Sequence, residues 1–276
     1  MLFRSLCAVV FLILPMLVAQ ISAQDPRSVP VIDTSRPMVT VDLTHTFDKD
    51  TIYWPTEAGF ELEKGPAGVT ERGYFYVANR FRSAEHGGTH IDAPIHFFKG
   101  RSTVDQISLK RLVGDGVVID VTKECEQNAD FQIGVRELRK WEEENHRQLV
   151  DVIVLLKTGF GRHWKDRKKY LGTEDSGPEA VANLHFPGLD PQAATWLVEN
   201  RAIKAIGIDT ASIDYGQSRR FQSHVKLFEK NVPAFENLAN LDKLPERGFS
   251  VIALPMKIGG GSGGPLRIIA ISYTDP

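Results

Sequence analysis

The sequence predicts an α+β fold, a single domain of mixed β-sheets with flanking helices. Three observations predict it. Strand-like runs rich in β-branched and aromatic residues recur from residue 39 to residue 272 and outnumber helical ones. Helical spacing is interspersed among them, which suits two sheets or one curled mixed sheet with helices outside. No internal repeat and no linker long enough to separate two domains interrupts the 276 residues. With 42% hydrophobic residues and a formal net charge of −2, this is ordinary globular composition with length enough for a substantial core. There is no basic excess to neutralise phosphates, so nucleic acid is not an expected partner.

Residues 1–23 are set aside as a secretory signal peptide. Arg4 supplies the positive start, residues 6–18 are almost wholly apolar around Pro15, and the small Ala23 precedes Gln24 as a cleavage site. The apolar run is short for a membrane span. The expectation is therefore a protein secreted or held in the secretory lumen, with no membrane association after cleavage. Residues 24–37 are polar and proline-containing and read as a flexible leader, leaving 38–276 as the folded domain. Of the two cysteines only Cys125 then remains, so an intrachain disulfide is impossible. It sits after a strand beside charged residues, and nothing marks it as a nucleophile. No Asn-x-Ser/Thr acceptor occurs, so N-glycosylation is not expected.

The elements follow in order. Residues 39–43 read as the first strand, with His45 just after it. Tyr53-Trp54-Pro55 forms a loop whose two aromatics suit an apolar wall, for the core or for a ligand. Residues 74–81 read as a strand entering the histidine-rich stretch that follows. Residues 108–112 make a helical turn and 116–121 a buried strand. Residues 133–145 have helical spacing, with Val135, Leu138 and Trp141 on one face. Residues 150–156 are apolar nearly throughout and read as a central strand, ending in a site-facing loop at 157–160. The basic run within 163–177 reads as a solvated loop. Asp190-Pro191 is an N-cap and first-turn pair opening a helix to about Asn200. Residues 205–209 form a strand and 222–230 a helix carrying His224, followed by a turn at Val232-Pro233 and then Glu236. The last strands are 249–254 and 266–272. The glycine run at 259–264 before the final strand lacks a Gly-Lys-Ser/Thr ending and opens no helix, so it reads as a flexible turn rather than a phosphate loop.

The chemistry concentrates in residues 85–100. Three of the eight histidines and an aspartate fall in the pattern His86-x3-His90-x-Asp92-x3-His96. Imidazole and carboxylate are the ligands expected for a borderline divalent cation such as Zn²⁺ or Mn²⁺. A helix is disfavoured by Gly87, Gly88, the β-branched Thr89 and Ile91, and Pro94. A tight turn into a short extended segment places His90 and Asp92 on one side with Ile91 opposite. A histidine-rich surface loop is the competing reading, and the density of ligand types disfavours it. Spacing alone does not choose among the distant candidates His45, His146, His163, His185, His224 and the carboxylates after Ala205.

This stretch resembles the signature of the cyclase family of metal-dependent hydrolases, which includes kynurenine formamidases and isatin hydrolase. The likeness also takes in Val41-Asp42-Leu43-Thr44, Trp54-Pro55, residues 102–107, residues 207–214, His224, Phe235-Glu236-Asn237-Leu238 and the glycine-rich loop. The resemblance implies a swivelling β/β/α-like fold and a homo-oligomer, dimer or tetramer. It implies one metal on His86, His90 and Asp92 and a second on Asp92, His224 and Glu236, Asp92 bridging, with Zn or Mn as the ion. It gives His96 a proton-transfer role and places Trp54 in the substrate pocket. One departure stands out: Trp54-Pro55-Thr56-Glu57 replaces the family's usual Trp-Pro-Gly-Asp, which puts substrate fit in question. Asp209 and Asp214 are expected to support the site, by holding a ligand histidine or by structuring a loop. The function implied is hydrolysis of an aryl formamide, with N-formylkynurenine as lead substrate. The rivals are hydrolysis of a cyclic amide or lactone such as isatin, and metal binding without turnover.

Overall fold

The computed structural model describes residues 37–273. The expected signal peptide, and the expected leader but for its last residue, lie outside the described residues. In chain order, β1 (Met38–Asp42) is followed by the short strands β2 (Glu61–Glu63), β3 (Ala67–Val69), β4 (Phe75–Val77) and β5 (Arg80–Arg82), then β6 (His90–Asp92). Next come α1 (Leu109–Leu112), β7 (Val113–Asp120), α2 (Thr122–Gln127), β8 (Gln132–Ile133), α3 (Val135–Asn145) and β9 (Ile153–Lys157). The chain continues with α4 (Arg167–Leu171), β10 (Gly188–Leu189), α5 (Pro191–Trp196), β11 (Ala205–Ile208), α6 (Gln222–Glu229), β12 (Ala234–Glu236), β13 (Phe249–Pro255) and β14 (Gly263–Tyr273).

Eight strands form one mixed sheet in the order β1-β14-β13-β7-β9-β11-β12-β6. Because β14 also pairs with β6, the sheet closes on itself like a barrel, with β1 outside the closure. The α+β arrangement expected from the sequence is the one observed. Strand β9, parallel to both β7 and β11, is apolar on both faces and fully buried over Ile153–Leu156. Its period-two alternation divides the core: Ile153 and Leu155 pack inside the closed sheet with Leu43, Ile91 and Phe235, whereas Val154 and Leu156 pack outside it under the helices. Helix α5 starts as its sequence dictates, with Pro191 in the first turn and Asp190 Oδ1 accepting from the amides of Gln192 (2.7 Å) and Ala193 (3.3 Å).

Four local expectations change. Residues 74–81 are not one strand; they are divided between β4 and β5 in an exposed hairpin. The basic run at 163–177 is not wholly solvated: Asp166 caps α4, which buries Tyr170 and Leu171 and ends at Gly172 with φ 88°. Packing of two apolar side chains decided there against a local excess of charge. The central strand begins at Ile153, since Asp151 takes a left-handed φ of 57°. The glycine run ends inside the sheet, because Gly263 and Gly264 pair with Asp92 and Ile91.

Candidate metal centre and active-site cavity

Backbone geometry places the first ligands. Gly88 has φ 57°, and a Cβ there would strike the Phe47 ring, so the turn before β6 needs glycine. The chain then enters β6, where Ile91 joins the core and His90 and Asp92 face the other way. β6 pairs antiparallel with β12 in a register that sets Glu236 directly opposite His90. His224 arrives from α6, on the buried face shared with Leu227 and Phe228. His86, His90 and Asp92 form one group and Asp92, His224 and Glu236 another, the ligand atoms of each lying within 4.8 Å of one another.

Asp92 stands between the groups. Its Oδ1 lies 2.7 Å from His86 Nδ1 and 3.0 Å from His90 Nε2, and its Oδ2 lies 3.1 Å from His224 Nε2. Glu236 lies 3.0 Å from His224 Nε2 through Oε1 and 3.5 Å from His90 Nε2 through Oε2.

The outer nitrogen of each imidazole is committed elsewhere. His90 Nδ1 donates to the Gly88 carbonyl at 2.9 Å. His224 Nδ1 donates to Asp214 Oδ2 at 2.7 Å, and Asp214 also accepts from the His224 amide at 3.1 Å. His86 Nε2 donates to Ser262 Oγ at 2.9 Å, and Ser262 in turn donates to Glu85 Oε2 at 2.6 Å. With the outer nitrogens so committed, the inner nitrogen of each ring faces a carboxylate oxygen, as an N–H donor when the ring is protonated and as a lone pair for a metal once that proton leaves. A cation between donors and acceptors relieves that arrangement, and the mixed nitrogen and oxygen set suits a divalent ion.

The electrostatics agree. Burial opposes charge on Asp92, but the charge of His86 and the hydrogen bonds from His224, His86 and His90 outweigh it and hold the carboxyl well below its usual range. Burial and the charge of Asp92 push Glu236 up. Burial also opposes charge on His224, yet its bonds to Asp214, Asp92 and Glu236 raise it well above the ordinary value. Two buried carboxylates share one small volume, and positive charge is what lets both ionise.

His96 occupies a 3₁₀ turn (Pro94–His96) and stacks on His86 with ring centroids 3.7 Å apart. Burial brings its pKa to about 4; Asp92 attracts its proton, but positive charge on His86, His224 and His90 repels it. The ring is therefore neutral near pH 7, and it lines the cavity without belonging to either ligand group. That cavity, about 480 Å³, opens over the five candidate ligands. Trp54, Phe97 and Phe221 wall one side, Phe221 lying 6.1 Å from Trp54 and 5.0 Å from Phe97 between ring centroids. Thr56 and Glu57 reach its lining; among the described residues no lysine or arginine does.

The two supporting aspartates divide their tasks. Asp214 holds His224, whereas Asp209 accepts from Thr158 Oγ1 (2.6 Å), Thr158 N (2.8 Å) and Gly159 N (3.0 Å) and shapes the 157–160 loop. The other distant histidines do not join: His45 stacks on Trp164 at 4.0 Å, His185 pairs with Asp130 at 2.8 Å, His146 ends α3, and His163 lies in the turn before α4. Cys125 is buried, and desolvation with the charge of Asp209 raises its thiol pKa, so it is no nucleophile. Sequence reasoning missed Glu85 and Ser262, which lie 177 residues apart and meet only through the β14–β6 pairing. It also missed Phe221; an aromatic beside the basic pair Arg219-Arg220 carries no signal of its own.

Comparison with known proteins places this geometry. The family model named Cyclase matches residues 41–215. Isatin hydrolase of Roseibium aggregatum is 31% identical over 207 residues, covering 72% of this chain and 76% of that one. Kynurenine formamidase of Bacillus thuringiensis is 28% identical over 229 residues, covering 83% and 95%. Among solved structures, isatin hydrolase A from Labrenzia aggregata, bound to benzyl benzoate, superposes with TM-score 0.76 at 33% identity over 86% of this chain and 94% of that one. With a model match across most of the domain and relatives that are hydrolases, the chain belongs to the Cyclase family of metal-dependent hydrolases.

Proposed function

We propose that the protein hydrolyses the amide or ester carbonyl of a compact, uncharged aromatic substrate, with a ring amide or lactone of the isatin kind ahead of N-formylkynurenine. The observation that carries the choice is the cavity lining: an aromatic wall beside the candidate ligands, with Glu57 and Glu85 in the lining and no lysine or arginine among its described residues. A flat neutral ring fits against Trp54, Phe97 and Phe221. The α-carboxylate of an amino-acid substrate would meet acidic neighbours and no lysine or arginine among the described lining residues. N-formylkynurenine remains the second reading because Glu57 could receive its α-ammonium and a kynurenine formamidase matches 83% of this chain over 95% of its own length. It led on sequence alone; the charge of the lining supports placing it second here.

In this reading His86, His90 and Asp92 hold one divalent cation and Asp92, His224 and Glu236 a second, Zn²⁺ or Mn²⁺ by donor type. Such ions polarise a carbonyl and acidify water. The aromatic wall orients the substrate ring and excludes bulk solvent. Neutral His96 accepts a proton from the water that adds to the carbonyl carbon, and returns it to the nitrogen or oxygen as the C–N or C–O bond breaks. With residues 1–23 read as a cleaved signal, the reaction takes place outside the cytosol.

The test is turnover of isatin and of N-formylkynurenine by purified protein supplied with Zn²⁺ or Mn²⁺. Ring opening of isatin with the faster kcat/KM is expected. Faster formylkynurenine hydrolysis reverses the order, and inertness toward both overturns the proposal. His96→Ala is expected to lower kcat about 10²–10⁴-fold with metal content unchanged; parallel loss of metal would make His96 a ligand instead.

A further inference from the structure

Of the three wall rings, only Phe221 sits on a left-handed backbone, with φ 47° and ψ 44°. A bulky side chain rarely adopts that conformation. Such strain persists where the surroundings hold it, and it gathers at functional sites. Phe221 stands at the cap position of α6, yet its side chain has no group to accept from the first-turn amides. Its ring is spent on the cavity instead, against Trp54 and Phe97.

The missing cap comes from outside the helix. Asp214 Oδ1 accepts from the Ser223 amide at 3.2 Å, and Oδ2 from the His224 amide at 3.1 Å. Oδ1 also accepts from Ser218 Oγ at 3.1 Å, and Ser218 Oγ accepts in turn from the Phe221 amide at 3.2 Å. Ser218 thus links the strained residue to the carboxylate that caps the helix and holds His224.

The segment before Ser218 is clamped. Ile213 O accepts from Leu189 N at 2.7 Å, Ile213 N donates to Glu236 Oε1 at 2.7 Å, and Gly216 N donates to Phe186 O at 2.9 Å. A Cβ on Gly216 would strike the Leu184 carbonyl, so the chain there has no room to shift. Beyond Ser218, Arg219 and Arg220 are exposed and give no buried anchor. The Ser218 hydroxyl is what carries the order of the clamped segment on to Phe221.

We propose that Ser218 is a positioning residue for the substrate: it holds Phe221 in its left-handed turn, so that a flat ring meets a preformed wall. This rests on the reading of the cavity as a binder of neutral aromatic rings. Asp214 keeps its bonds to His224 without Ser218, so the ring of the substrate should feel the loss and the metal should not. The probe is indole, a flat neutral ring with no carbonyl to hydrolyse, titrated by calorimetry into purified protein supplied with Zn²⁺. Ser218→Ala is expected to weaken indole binding about 3–10-fold, the net worth of one hydrogen bond. KM for isatin should rise by a like factor, with kcat and metal content little changed. Ser218→Thr keeps the hydroxyl and is expected to restore both. Phe221→Ala should weaken indole binding at least as much, and Ser218→Ala should add nothing to it. Additive losses overturn the proposal, as does a Ser218→Ala protein that binds indole like wild type, or a wild type that does not bind it. A fall in metal content or kcat overturns it too, since Ser218 would then act on His224 through Asp214. Protein inert toward isatin that still shows the indole pattern would sustain the role of Ser218 and sink the substrate assignment alone.

Discussion

His86 and His224 flank the same carboxylate and are held in different ways. The His224 side is sealed: His224, Asp92, Glu236 and Asp214 are all buried, with His224 supplied by α6 and Glu236 by β12. Its outer partner is a carboxylate, Asp214, which accepts from both the ring and the backbone of His224. The His86 side is looser. His86 is half-buried at the cavity edge, and its outer partner is a hydroxyl, Ser262, with Glu85 behind it. A charged buried partner makes its histidine a stronger donor and fixes it more rigidly; a neutral hydroxyl at the rim leaves the ring freer to adjust. The comparison teaches that two candidate ion positions sharing one carboxylate would differ in affinity through the residues behind the ligands.

The largest effect should come from the shared group. Asp92→Asn removes the charge that both sides use, so metal content and turnover are expected to fall together, beyond the roughly 10–100-fold that losing an outer residue costs. Metal analysis on the purified variant decides: normal stoichiometry would refute the bridge, and loss from one side alone would show that the sides are independent.

Removing one histidine at a time sharpens the contrast. His224→Ala leaves Asp92, Asp214 and Glu236 buried with fewer partners, and breaking buried pairs of that kind costs about 3–5 kcal/mol. His86→Ala opens onto the cavity, and water can take the place of the lost contacts. The thermal midpoint of the metal-free protein is therefore expected to fall by many degrees for His224→Ala and by little for His86→Ala. Equal shifts would mean that burial does not separate the two sides.

The unequal legibility of the two sides has the same physical origin. His86, His90 and Asp92 lie within seven residues, and glycine and β-branched residues dictate the turn and strand that align them, so local rules suffice. His224 and Glu236 are brought to Asp92 by the β12–β6 register and the docking of α6, which no local rule contains; resemblance alone pointed to them. Asp214 was visible as a carboxylate near the end of a strand. Ser262 was hidden in a glycine run that reads as flexible, and it acquires its task only because β14 closes the sheet against β6. The barrel-like closure itself was not readable, although the alternation in β9 that fills both faces of the sheet was. The exposed hairpin at β4 and β5 shows the reverse failure. Aromatic and β-branched residues at 74–81 signal strand correctly, but β-propensity says nothing about whether a body lies beneath the strand.

The smallest effect separates the outer partners themselves. Asp214→Asn keeps the shape but replaces a carboxylate with an amide, which can accept from His224 Nδ1 only through its carbonyl oxygen, so the imidazole becomes a weaker donor. Metal affinity is expected to drop toward the upper end of the 10–100-fold range. Ser262→Ala frees His86 Nε2 at a site that solvent can reach, and Glu85 remains near enough for a water to bridge them; the drop is expected toward the lower end. Ser262→Thr keeps the hydroxyl and should recover most of it. Competition with a chelator of known affinity measures each variant without reference to turnover. A Ser262→Ala loss as large as that of Asp214→Asn would show that the Ser262–Glu85 pair grips His86 as firmly as Asp214 grips His224, and that exposure at the rim does not soften the site.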